Sequence, residues 1–289
     1  MKFGWPSQGE VKVREKWNRP GQEIVYSYKL VFERNDASGK YTISHRDARV
    51  ESFNGEAAPT GSENSLMVQS TIVMSGKATK YIVDSGGKLL EIPNFNEMID
   101  EFEKVMKGVP WADAEEEKTS KSIIRSMRSD TGKQMMLALA SNEWQALIGE
   151  WLGFEAPKGE KKDETSELII PGADRPLVGK ARQINLGNIP ANPALLHIKL
   201  EQTIDDPKAT ESMAEMLNKL RESSDDTPLP TGDLPRLTME TISEGHFEST
   251  TMKPHWVKLE KIIRMNPMPP ELKGKGNETR EWWFSWNQK

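Results

Sequence analysis

Residues 94–106 read NFNEMIDEFEKVM, and the spacing of their apolar positions sets the fold class. Phe95, Met98, Ile99, Phe102, Val105 and Met106 fall at i, i+3, i+4, i+7, i+10 and i+11, one face of a helix. Asn94 is placed to cap it, Glu97 completes an approximate capping box, and Gly108 and Pro110 stop it. A second helical run starts at the acidic stretch Glu115–Glu117, carries Ile123, Ile124 and Met127, and breaks at Ser129–Gly132. A third spans Gln134–Ala140. Ser141 then caps a fourth, with Trp144, Leu147, Ile148, Trp151 and Leu152 on one stripe and Gly153 at its end. Segment 94–154 is therefore a helical insert. On either side of it, in 8–93 and 165–289, apolar residues come in short runs at spacing two.

Before the insert, Val11–Trp17, Ile24–Phe32, Lys40–Phe53, Leu66–Met74, Tyr81–Val83 and Leu89–Ile92 read as strands. Pro20-Gly21, Asp36–Gly39, Ser75–Lys77 and Asp84–Gly87 supply the turns, and Asn54–Ser65 reads as a loop. After it, Ala156–Thr165 reads as a charged linker. Strands resume at Leu168–Ile170, Lys180–Ile189 and Leu195–Ile204. Asp206 and Pro207 open a helix striped by Met213, Met216, Leu217 and Leu220. Leu237–Ile242, Phe247–Met252, Trp256–Ile263 and Trp282–Trp286 complete the strands. Short turns pair successive strands antiparallel. The expected fold is a single α+β domain over 1–289: a large curved antiparallel β-sheet, half-barrel-like, with the helical insert packed on its concave face.

That order of elements resembles the outer-membrane lipoprotein carriers and related secreted bacterial proteins, in which a half-barrel sheet embraces helices. The run Tyr81–Ile92, YIVDSGGKLLEI, looks like their passage from sheet to helical lid, leading into the helix at Asn94. The resemblance covers the element order of most of the chain. The carriers are shorter, and this chain has an additional second half. The resemblance implies binding of an acyl chain in the concave face and carries over no individual residue.

Composition narrows the function classes. The 289 residues are 29 % charged and 36 % hydrophobic, a globular balance, with a net charge of −5. No Lys/Arg run is dense enough for a nucleic-acid footprint, and the apolar runs are too short to span a bilayer. There is no cysteine, which removes disulfides, thiol catalysis and cysteine-based zinc sites. The N-terminal residues lack the apolar core of a signal peptide. The strand-rich, Ser/Thr-rich composition leads to the expectation of a periplasmic or extracellular protein whose leader has been removed, with a cytoplasmic setting as the alternative.

Few motifs suggest chemistry. Asp84-Ser85-Gly86 and Asp130-Thr131-Gly132 invite an aspartic-protease dyad, in which two carboxylates share a proton. Both are also turn sequences, where Asp, Ser and Gly are the expected residues. His45, His197, His246 and His255 are scattered and show no metal-ligand spacing, so no metal or cofactor is expected. At the C-terminal end Trp282, Phe284 and Trp286 share one face of a strand and Trp283 takes the other; Trp256 is placed to extend the first wall.

The Met and Trp stripe of the insert either fills a core or lines a cavity for an apolar guest. Met98, Phe102, Met106, Trp144, Trp151, Trp282, Phe284 and Trp286 are the candidate ligand contacts. The functional expectation is non-enzymatic binding of an apolar or lipid-like ligand, or of an envelope partner, in the concave face. An envelope interaction module without a small ligand, and a hydrolase built on Asp84 and Asp130, are the alternatives.

Overall fold

The computed structural model describes residues 2–75, 78–108, 125, 128–168, 176–206, 208–222, 236–266 and 277–286. In chain order the strands are β1 (Gln8–Arg19), β2 (Gln22–Arg34), β3 (Tyr41–Phe53), β4 (Glu56–Ala57), β5 (Lys80–Val83), β6 (Leu89–Glu91), β7 (Lys161–Leu168), β8 (Leu177–Ile189), β9 (Asn192–Ile204), β10 (Arg236–Glu248), β11 (Pro254–Asn266) and β12 (Asn277–Trp286). The helices are α1 (Ser62–Ser75), α2 (Phe95–Gly108), α3 (Asp130–Leu147) and α4 (Ala209–Glu222), with one 3₁₀ turn at Gly149–Trp151.

All twelve described strands join one open antiparallel sheet in the order β6-β5-β3-β2-β1-β12-β11-β10-β9-β8-β7, with β4 on β3. The expected α+β half-barrel is the observed fold. Local pairing follows from turn chemistry. Gly21, at φ 77°, makes the two-residue turn that sets Arg19 opposite Gln22. Alternation then fixes the faces: Val11, Val13, Glu15 and Trp17 of β1 point to the buried side, as do Ile24, Tyr26, Tyr28, Leu30 and Phe32 of β2. Between β2 and β3 the register slips around Asp47, whose φ is 52° and whose carboxylate pairs with Lys29 at 2.8 Å. Such bulges bend a strand and add to sheet curvature.

The pairing of β1 with β12 is non-local, running from Val11 opposite Trp286 to Asn18 opposite Thr279. It joins the two meanders into one sheet. The main core spans this seam, from Tyr81 and Ile43 through Val13 and Trp282 to Val257 and Ile198, and is capped by Trp144, Leu147 and Trp151 of the helical layer. A smaller core, Leu177, Ile204, Ala209 and Leu237, lies at the far end with Met135 and Met239 against it.

Three local expectations are corrected. Leu66–Met74 lies in helix α1, not a strand. A short apolar run reads alike for a strand and a buried helix, and tertiary contact decides it here: Asn64 bonds both the N–H and the C=O of Val50, docking the first turn of α1 on β3. Residues 134–147 belong to one helix, α3, capped by Ser129, which accepts from the Gly132 N–H. Ser141 caps nothing; its hydroxyl bonds back to Ala138 O inside the helix. The charged stretch expected as a linker enters strand β7 at Lys161, at the sheet edge, where charge discourages pairing with another chain. The helical run expected at 115–128 falls outside the described residues apart from Arg125 and Arg128. So do residues 169–170 and Pro207.

Ile198 is fully buried on β9 in the main core. Replacing it with Ala is expected to cost roughly 2–5 kcal/mol, read from the midpoint shift in urea unfolding.

Candidate functional site

The inward-facing polar residues of the sheet converge beneath α3. Glu143 is buried on that helix, and its carboxylate accepts from the Tyr28 hydroxyl of β2 at 2.6 Å and from the Tyr81 hydroxyl of β5 at 3.0 Å. His45 of β3 places Nε2 3.5 Å from the same carboxylate and stacks on Tyr28, with centroids 4.4 Å apart. Next along the helix, Trp144 donates its indole N–H to Gly87 O at 2.9 Å. Gly87 tolerates nothing larger: its φ is +86°, and a Cβ there would lie 2.8 Å from the Phe3 ring. One helical turn therefore anchors to β2, β3 and the β5–β6 turn together.

Beside this cluster lies Glu15 of β1, 2 % exposed, with Tyr26 opposite it on β2 and Trp282 opposite it on β12. Arg280, two residues before Trp282, sits opposite Trp17 with its guanidinium 4.7 Å from the Trp17 ring centroid. It donates to Glu278. Burial works against the Arg280 charge, but Glu278 and Glu15 outweigh it and hold its pKa above the ordinary value. Burial, reinforced by the fields of Glu143 and Glu15, pushes Tyr26, Tyr28 and Tyr81 well above the ordinary tyrosine range. Hydroxyls so held are hydrogen-bond donors near neutral pH, and their chemistry is that of positioning.

The helical layer makes a second polar contact further along the sheet. Glu150 of the 3₁₀ turn accepts from Ser243 of β10 at 2.7 Å, and burial raises its pKa although that hydroxyl opposes the shift. On the convex side the register sets His197, His246, Trp256, Trp283 and Arg14 side by side across β9, β10, β11, β12 and β1. His197 and His246 have centroids 4.7 Å apart, and burial followed by His197 lowers the His246 pKa. Among the described residues no group of three or more His, Asp or Glu side chains is arranged to hold a metal ion, and no described helix is long and apolar enough to cross a membrane.

The sequence-derived contacts are only partly brought together. Trp144 and Trp286 both touch Trp5, at 5.9 and 5.1 Å. Trp282 and Phe284 are buried on the same face, as strand parity requires, and Trp283 faces the other way under Arg14. Trp151 lies apart against Phe247 at 5.1 Å. Met98 is half-buried beside the main core; Phe102 and Met106 belong to α2, their side chains outside the described residues. Trp256 does not extend the inner wall. It pairs with Trp283 on the convex side and donates to Glu281.

Asp84 and Asp130 are not brought together either. Asp84 Oδ1 accepts from the Gly86 and Lys88 N–H groups, the bonding of a turn. Trp144 holds Gly87, whereas Asp130 starts the same helix fourteen residues earlier, about 21 Å along its axis. Across such a span the two carboxylates cannot share a proton.

Sequence reading missed Glu15, Tyr28, His45, Tyr81, Glu143 and Arg280. Glu15 left a signal, a carboxylate among the inward positions of VKVREKW. Glu143 left almost none, since Glu is ordinary on a helix.

No family model matches the chain, and no curated protein matches it. Among solved structures it is similar to a lipovitellin structure concerned with lipid–protein interactions, with a TM-score of 0.40 and 8 % identity over 98 % of this chain and 25 % of that one. This chain thus spans about a quarter of that lipovitellin chain. The likeness is architectural and weak.

Removing the Glu143 carboxylate leaves two buried hydroxyls without their acceptor. Glu143→Ala is expected to lower stability by roughly 2–5 kcal/mol, and Glu143→Gln, which keeps an acceptor, by less than half as much, both read in urea. The tyrosines give a pH test. Their folded pKa values are raised above the ordinary 10.0, so their contribution to stability is complete below pH 10 and is lost as pH rises beyond it. Ionisation of Tyr26, Tyr28 and Tyr81, followed by ultraviolet absorbance, is expected to coincide with loss of the circular-dichroism signal. Three phenolates titrating smoothly in a folded protein would contradict this burial.

Proposed function

We propose that this protein binds an apolar, lipid-like molecule against the concave face of its sheet, through shape and buried area and without bond chemistry. The supporting observation is a set of half-buried apolar side chains on the inner face of β10 and β11, with Leu259 on one side of the Thr241–Lys261 pair and Met239, Ile263 and Met265 on the other. These residues lie between the two cores or along their margins. The scale of the sheet fits the reading. Its nine long strands make a face on the order of 1,700 Å², on the scale of a helical layer and an acyl chain together. Flexible Met side chains suit a wall that must fit an acyl chain. Trp282 and Phe284 supply the rigid floor at the seam, while Trp144 and Trp151 act as core that fixes the helical layer.

A second reading, an interaction module without a small ligand, draws on the half-exposed convex row of Trp256, Trp283 and His246. Organic extraction and native mass spectrometry of the purified protein, followed by titration with a fluorescent acyl probe, separate the two. The expected result is a co-purified lipid, or probe binding in the micromolar range, about −8 kcal/mol. Ile263→Glu, which puts a charge among these apolar side chains, is expected to weaken that binding at least about tenfold. A folded protein that neither carries lipid nor binds the probe would leave the interaction module standing instead.

A further inference from the structure

Trp17 and Trp282 carry an indication of what the bound molecule presents to the floor of the sheet. Four of the other tryptophans donate their indole N–H to an oxygen: Trp144 to Gly87, Trp151 to Ala146, Trp256 to Glu281 and Trp286 to Pro254. The indole nitrogens of Trp17 and Trp282 are buried and have no acceptor among the described residues. A buried donor without an acceptor is costly, and native proteins supply one from protein, water or ligand. Trp5 shares the condition but not the setting. Four rings, Phe3, Phe32, Trp144 and Trp286, surround it. Trp17 and Trp282 instead lie diagonally across the β1–β12 ladder on its inner face, among Glu15, Arg280 and Tyr26.

We propose that this floor is a head-group site, in which the indole N–H groups of Trp17 and Trp282 receive a neutral acceptor oxygen of the bound molecule, the carbonyl or hydroxyl of an acyl ester such as a monoacylglycerol. The inference rests on the lipid-binding reading and adds the polar end. Three observations select the class. The groups in need are donors, so the ligand brings an acceptor. Two guanidinium groups lie on the Trp17 ring, Arg280, which is engaged by Glu278, and Arg19, which donates to Gln22, while the fields of Glu15 and Glu143 on the inner face help raise three tyrosines. A carboxylate or phosphate head would enter that negative field at a penalty, and a neutral oxygen would not. The floor also adjoins the half-buried apolar side chains of β11. Val257 stands opposite Trp282, Leu259 opposite Arg280 and Lys261 opposite Glu278, and beyond that pair β11 continues to Ile263 and Met265. A head on the indoles therefore places a chain along that strand.

The test uses the full-length protein and two pyrene-labelled probes with the same acyl chain, a monoacylglycerol and a free fatty acid. Binding is followed by pyrene fluorescence. The monoacylglycerol is expected to bind about tenfold more tightly. Trp282→Phe and Trp17→Phe keep a ring and lose the N–H; each is expected to weaken monoacylglycerol binding about three- to tenfold and so to shrink its advantage over the fatty acid. Two sites of substitution keep the test decisive if one variant fails to fold. Equal binding of both probes, unaltered in the folded variants, would overturn the head-group site, assign the indoles to ordered water and leave lipid binding intact. Failure of wild-type protein to bind either probe would overturn the lipid reading and this inference with it.

Discussion

Strands β1 and β12 come from opposite ends of the chain, and the ladder between them, Val11–Trp286 to Asn18–Thr279, makes one sheet of two meanders. Every other long-strand pairing joins neighbours in sequence, across turns and loops or, between β9 and β10, across the connection that carries α4, so the cost of closure stays lower. This one closes a loop of more than 250 residues, so its entropy must be offset by what it buries. The residues at the seam fit that demand. Val11, Val13 and Trp17 of β1 meet Trp282 and Phe284 of β12 on the inner face, all buried. Arg14 lies over Trp283 on the outer face. The Trp-rich end of the chain is thus explained first as the closing strand.

The helical layer is tied to this sheet by a few polar contacts set into a large apolar one. Glu143 with Tyr28, Tyr81 and His45, Trp144 with Gly87, and Glu150 with Ser243 each join a helical residue to a different part of the sheet. Apolar packing alone is non-directional and would let α3 slide along the concave face. Buried hydrogen bonds fix one position, because displacement leaves a desolvated group without its partner. The same low-dielectric surroundings, with the charges of Glu143 and Glu15, hold the tyrosines protonated.

The two faces of the sheet therefore differ in kind. Outside, rows of opposite charge such as Lys199, Glu244, Lys258 and Glu281 run across β9 to β12 beside the His and Trp row. Inside, apolar side chains surround a small polar floor and continue along β11 on either side of Lys261 as half-buried Leu259, Ile263 and Met265. An amphipathic molecule matches that sequence of surfaces, and the proposed function rests on the match.

Much of this architecture was legible in the sequence. Period-two runs separated by Gly, Pro, Asn and Asp turns identify most of the strands and their antiparallel order. The period-three-to-four stripe from Phe95, and the one through Trp144, identify the helical layer. Parity alone puts Trp282, Phe284 and Trp286 on one face and Trp283 on the other. These are local properties, set by backbone geometry and side-chain volume. Where local signals are degenerate the reading failed: the apolar run from Leu66 became helix α1 because Asn64 docks on Val50. The site was less legible still. Glu15 stood out among apolar partners, but nothing near Glu143, Tyr28, His45 or Tyr81 in the chain says that they meet. Only the tertiary structure, by closing β1 on β12 and laying α3 across the concave face, decided which side chains share the interior, because those contacts depend on strand register and helix placement between residues far apart in sequence.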